Sequence, residues 1–160
     1  MDALRNRPRD VTPTRNAKAR PRPVMLATLS VRIDPSAERM ACESALDAGV
    51  PLIIANLLTL PAYPLTMMLA PEHLVLPHEE DLDAVRATAA RAAEQGIATE
   101  LLRVSSRRPM VALLELVRER EPGLLVFGPD LRRTSRWRFR RAAERVRREV
   151  GCLVWIAPDG

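Results

Sequence analysis

Five short apolar runs punctuate the chain, and a stretch of helical periodicity lies between each run and the next. Val24-Met25-Leu26-Ala27-Thr28-Leu29 is the first, apolar at successive positions as a strand covered on both faces requires. Asp34-Pro35 then reads as an N-cap followed by proline at the first helical position. The helix it opens is expected to reach about Ala48 and to stop at Gly49. Leu52 to Leu58 is the second apolar run. From Glu79, Leu82, Val85, Ala89 and Ala92 or Ala93 recur at helical spacing until Gly96. Ala98 to Val104 is the third strand, followed by a helix over Met110–Arg120 with Leu113, Leu114 and Val117 inward and Pro122 at its end. Gly123 to Gly128 is the fourth strand. A last helix over about Trp137 to Val150 turns Phe139, Ala142, Ala143, Val146 and Val150 inward, and Cys152 to Ala157 closes the chain as a fifth strand. Continuously apolar strands alternating with helices predict an α/β fold: a doubly wound, five-stranded parallel sheet with helices on both faces.

Two segments fall outside this pattern. Residues 1–23 combine Pro8, Pro13, Pro21 and Pro23 with dense charge and few large apolar side chains, so they read as a disordered basic arm ahead of one domain over 24–160. Thr59 to Pro77 carries four prolines and is expected to be a crossover loop with a short helical turn. With aromatics at 3%, the core must be built from Leu, Val, Ile, Ala and Met. No run approaches the roughly 18 apolar residues of a membrane span, and no apolar stretch follows the basic start as in a secretory signal, so a cytoplasmic protein without membrane contact is expected. Cys42 and Cys152 lack disulfide or metal spacing and read as buried thiols in a reducing compartment.

Charge changes the picture once it is located. The formal net charge is +5, but seven of the 25 basic and two of the 20 acidic residues lie in residues 1–23, so the remainder is formally neutral. A generally polyanion-binding body is therefore not indicated. Lys18 is the only lysine, and the near-exclusive use of arginine reads as coding bias.

The C-terminal third carries a family resemblance. Ala112-Leu113-Leu114-Glu115-Leu116 ahead of Gly123-Leu124-Leu125-Val126-Phe127-Gly128 is similar to the fourth strand and preceding helix of the universal stress proteins. Ala143-Glu144-Arg145-Val146 followed by Cys152-Leu153-Val154-Trp155-Ile156 resembles their final helix and strand, and Arg103-Val104-Ser105-Ser106 sits where they end the third. The resemblance implies strand order 3-2-1-4-5, with a switch point between strands one and four that is bordered by Leu29–Asp34 and Gly128–Arg141. Ligands of such sheets bind outside the carboxyl ends of the strands at that point. The family resemblance also implies what ATP binding would need: an aspartate ending strand one, and Gly-x2-Gly-x9-Gly-Ser/Thr after strand four, whose bare backbone cradles phosphates. Here strand one ends Thr28-Leu29-Ser30. Gly128 matches the first glycine, but the second position falls on Leu131 and the Gly-Ser pair on Arg141-Ala142 or Arg140-Arg141. Side chains there obstruct close backbone approach, so no cofactor is expected and ATP binding in the family manner is argued against.

Nine arginines crowd residues 131–148, opposed only by Glu144. Either they are the solvated face of an amphipathic helix, or Gly128, Arg132, Arg133, Arg140 and Arg141 form an anion site for a phosphorylated small molecule or a nucleic-acid backbone, with Trp137 and Phe139 able to stack a base. Arg107-Arg108 before Pro109 marks a helix start. His73 and His78 have no metal-ligand spacing, and no metal is expected. Ser30, Ser105 and Ser106 have no histidine base, while Asp34, Asp130 and Glu144 are scattered, so no enzyme is expected. The last strand is apolar on both faces yet lies at the sheet edge. Resembling proteins pair this strand across a dimer, which implies a homodimer through Leu153, Val154, Trp155 and Ile156. The expected function is a regulatory or binding protein of the stress-protein type, with phosphate-ligand or nucleic-acid-backbone binding through Arg132–Arg148 as the alternative.

Overall fold

The computed structural model of the chain describes residues 21–60 and 79–157. Residues 1–20 of the expected basic arm, most of the proline-rich crossover, His73 and His78 lie outside them, whereas the last three arm residues are placed, with the Pro23 carbonyl accepting from the Gly123 N–H at 2.9 Å. The apolar runs form strands β1 (Val24–Leu29), β2 (Leu52–Thr59), β3 (Thr99–Ser106), β4 (Leu124–Phe127) and β5 (Leu153–Ile156). Between them stand helices α1 (Pro35–Ala48), α2 (Glu79–Glu94), α3 (Pro109–Arg120) and α4 (Arg136–Glu149). All strand pairs are parallel and the order is β3-β2-β1-β4-β5, the doubly wound arrangement that the sequence and its resemblance implied.

Alternation along each strand divides the core in two. Val24, Leu26, Leu52, Ile54 and Val126 meet α1 and α2, whereas Met25, Ala27, Ile53, Phe127 and Leu125 meet α3 and α4. In α1, Ala37, Ala41 and Ala45 recur every four residues on the buried face, so the helix backbone lies close to the sheet. Asp34 caps this helix by accepting from the Ser36 backbone N–H at 2.8 Å, Pro35 occupies the first turn, and Gly49 ends it at φ +62°. On the other face the rings of Phe127 and Phe139 stack at 5.8 Å between centroids, fixing α4 on β4.

The buried stripe of α2 keeps the expected Val85 and Ala92 but is otherwise shifted from expectation. Asp81, Val85, Thr88 and Ala92 face inward, and Leu82 and Ala89 are only partly buried. The helix is turned because its polar side chains have partners. Asp81 meets arginines from two loops, and Thr88 donates to Glu38 of α1 at 2.9 Å.

Candidate functional site

The crevice expected at the switch point is bordered by the β1–α1 and β4–α4 loops, and these loops are tied to each other. The Asp34 N–H donates to the Gly128 carbonyl and the Asp130 N–H to the Arg32 carbonyl, both at 2.9 Å, with Ile33 and Pro129 bridged antiparallel between them. At the end of β1, Thr28 is fully buried and its hydroxyl donates to the Val31 carbonyl at 2.7 Å. Ser30 adopts φ +55°, a left-handed conformation unfavourable for a residue with a Cβ. It is held there by β2: its N–H and hydroxyl both donate to the Leu57 carbonyl, and the Thr59 N–H donates to its Oγ at 2.9 Å. Its hydroxyl is thereby engaged rather than poised as a nucleophile. Beside Thr28 in the sheet, Asn56 is buried, and its Oδ1 has no partner among the described residues.

Gly128 is where a phosphate cradle would begin, and its lack of a side chain has another use. A Cβ built on it would stand 2.0 Å from the Ala37 Cβ. The space above Gly128 belongs to α1, so the glycine serves close helix–strand packing. The loop beyond then folds on itself. The Asp130 carboxylate accepts from the Arg132 N–H at 3.0 Å, and its carbonyl accepts from the Arg133 N–H at 3.1 Å. These two amides are spent inside a tight turn and do not form a cradle open to an anion.

The five candidate anion-site residues fall into different settings. Arg133 reaches α2, with its guanidinium 3.4 Å from Asp81 Oδ2 and 3.8 Å from Glu80. Arg32 approaches the other Asp81 oxygen through Nε at 3.2 Å and its backbone N–H at 3.3 Å. Asp81 is only 3% exposed, and both its oxygens are compensated, as a buried carboxylate needs. This clip fastens both switch-point loops to the start of α2. Arg141 lies over the Trp137 ring at 5.5 Å on the outward side of α4, while Arg132 and Arg140 are exposed without an ion pair among the described residues.

Sequence reasoning passed over Arg32 and Asp81. The one available signal was an aspartate four residues before Val85 on the helical stripe, which reads as a polar interruption until two arginines are found opposite. Among the described residues no group of three or more His, Cys, Asp or Glu is set to hold a metal. Two clefts lie elsewhere. One of about 280 Å³ opens at the amino ends of the strands beside Arg22, Pro122 and Cys152, and one of about 450 Å³ lies between α1 and α2 beside Glu38, Cys42 and Arg91. Burial pushes the Cys42 and Cys152 thiols above their ordinary range, so neither is an activated nucleophile.

A family model, the universal stress protein family, matches residues 21–158. The chain belongs to that family. No curated protein matches it. Solved universal stress proteins share its fold. One in complex with cAMP is 24% identical at TM-score 0.57, covering 85% of this chain and 95% of the other. One from Archaeoglobus fulgidus in complex with dAMP is 19% identical at TM-score 0.58, covering 84% and 96%. UspA from Lactobacillus plantarum is 16% identical at TM-score 0.66, covering 86% and 98%. The ATP-binding pattern of the family does not fit the residues present: the room at Gly128 is filled, Leu131 and the arginines carry side chains where glycines would stand, and no aspartate ends β1. No helix among the described residues is long and apolar enough to cross a membrane.

Proposed function

We propose that this universal stress protein is a non-catalytic regulatory or binding member that does not hold ATP in the family manner. The observation that carries this reading is the Arg32–Asp81–Arg133 clip. It uses the two loop guanidiniums nearest the switch point on an internal, buried carboxylate and leaves Glu80 close by. A triphosphate entering there would meet two carboxylates whose counter-charges are already engaged, at a loop whose turn amides are already bonded. The relatives with cAMP and dAMP show that the fold admits adenine nucleotides; this chain's loops lack the bare backbone that phosphates approach.

The same reading includes a homodimer through β5. On β3, the other sheet edge, Glu100, Arg103 and Ser105 are exposed and guard against strand addition. On β5, Leu153 is 74% exposed and Val154, Trp155 and Ile156 are half-buried, so an apolar edge lies open to a second copy. Calorimetric titration of the full chain with ATP tests the ligand half of the reading: the absence of saturable binding supports it, and stoichiometric binding removes it.

A further inference from the structure

The outward face of α4 carries more positive charge than the described residues around it balance. Its inward stripe of Phe139, Ala142, Ala143 and Val146 is packed on the sheet, so the rest of the helix looks to solvent. At 100° per residue, Trp137, Arg141, Glu144 and Arg148 form the central outward ridge, with Arg140 and Arg147 along one side and Arg138 along the other. Outside α4, Arg32, Arg86, Arg91, Arg120 and Arg133 meet carboxylates, while others such as Arg39, Arg103 and Arg118 stand singly. On α4, among the described residues, only Arg145 meets a carboxylate, that of Glu149. Coding bias explains an abundance of arginine but not the crowding of five of them, Arg138, Arg140, Arg141, Arg147 and Arg148, on one outward face that holds a single acid, Glu144. Part of the arrangement opposes the helix: Arg136 and Arg140, and Arg141 and Arg145, are like charges four apart, and the first turn holds arginine but no acid, with Glu144 offsetting Arg140 and Arg148 at the same spacing. A bound polyanion relieves both effects.

Trp137 narrows the class of polyanion. It is 66% exposed, with the Arg141 guanidinium over its ring, a large planar surface left in water beside arginines that match phosphate oxygens. We infer that the outward face of α4 binds single-stranded nucleic acid, the arginines taking backbone phosphates and Trp137 stacking on an unpaired base. Insertion into a bilayer is unavailable because the apolar stripe of the helix is committed to the core. An acidic peptide would satisfy the arginines but gives the indole no planar partner. This inference is independent of the ATP question, since the face lies on the outer side of the helix and not on the clipped loops.

The test is fluorescence anisotropy of a labelled oligothymidylate with the full chain, run from about 50 to 200 mM salt, where phosphate contacts weaken steeply. Trp137→Ala is expected to weaken binding about tenfold without changing the salt slope, because stacking is lost and phosphate contacts are kept. Arg141→Ala with Arg148→Ala is expected to lower the log–log salt slope by about 1.4, two single-strand phosphate contacts. Oligonucleotide should quench tryptophan emission in the wild type, and the quench should vanish in Trp137→Ala although Trp155 remains. Absence of binding at low salt overturns the inference. So does binding that ignores these variants, which would place it on the basic residues 1–23. Equal capture of heparin or phosphatidylserine vesicles, with no dependence on Trp137, overturns it as well. All three positions are exposed, and thermal melts confirm that each variant is folded.

Discussion

Gly128 and Ala37 leave no room between them for a methyl group, and much of the account at residue scale follows from that contact. A Cβ at position 128 would strike the backbone-anchored Ala37 Cβ, so α1 would have to move off the sheet. Gly128→Ala is therefore expected to destabilise the fold by about 1–3 kcal/mol, the usual range for overpacking, read as an earlier midpoint in urea denaturation. Ala37→Gly in the same chain should recover part of the loss, because it removes the atom that is struck; no recovery would mean the glycine serves something other than packing. The sequence placed Gly128 at the correct loop but could not distinguish a packing glycine from a phosphate glycine. The distinction depends on which atom of α1 lies opposite, and that is set by the tertiary approach of the alanine stripe. Arg133 was legible as a cation and not as a partner of Asp81, because ion pairs across 52 residues leave no local periodicity.

Among elements, the α1–α2 contact is the one most open to a solution test. Arg91 of α2 meets both oxygens of Glu38 on α1 at 2.8 Å, and Thr88 donates to the same carboxylate. The Arg91 hydrogen bonds hold the Glu38 carboxyl below the usual glutamate range, against the opposing effect of partial burial. A lowered folded value gives stability that is present at neutral pH and is lost as pH falls from the ordinary glutamate value through the folded one. Denaturation over an acid pH series should show this loss in the wild type. Glu38→Gln should be less stable at pH 7 by about 1 kcal/mol, since Arg91 is half exposed and screened, and should lack that part of the acid dependence. An unchanged profile would show that the pair does not form. Among the described residues, element order and type were readable, with boundaries displaced by one or two residues, because β1, β2, β4 and β5 are near-continuous apolar runs and each helix has a proline or glycine near an end. The facing of α2 was readable only in part: Val85 and Ala92 are buried as expected, but the stripe is centred nearer Asp81 and Thr88. Hydrophobicity ranked Leu82 and Ala89 above Asp81 and Thr88, and the partners that reversed the ranking sit on other elements.

At whole-molecule scale the sheet has two unlike edges. The edge strand β3 shows Glu100 and Arg103 to solvent beside Leu101, and β5 shows Leu153, more exposed, with no charged residue in the strand. If β5 is the dimer seam, the full chain should sediment as a dimer at micromolar concentration, and Leu153→Arg should shift it to monomer with little change in stability, because the side chain is already exposed. A wild-type monomer at that concentration contradicts the seam. The doubly wound order itself was legible from alternation of elements and from family resemblance, since right-handed crossovers leave few alternatives. Net charge was misleading at this scale until it was localised: the body is formally neutral, and its densest run of arginine stands on one helix.

If the switch-point loops, closed on the protein's own Asp81, leave no glycine cradle, ATP does not bind there in the family manner. The most direct measurement is a calorimetric titration of freshly purified full-length chain with ATP at low salt, preceded by mass spectrometry to establish what it already carries. The account predicts no co-purified adenine nucleotide and no saturable heat, corresponding to a dissociation constant weaker than about 1 mM. Stoichiometric ATP in the purified protein, or saturable one-to-one binding in the micromolar range, would contradict it.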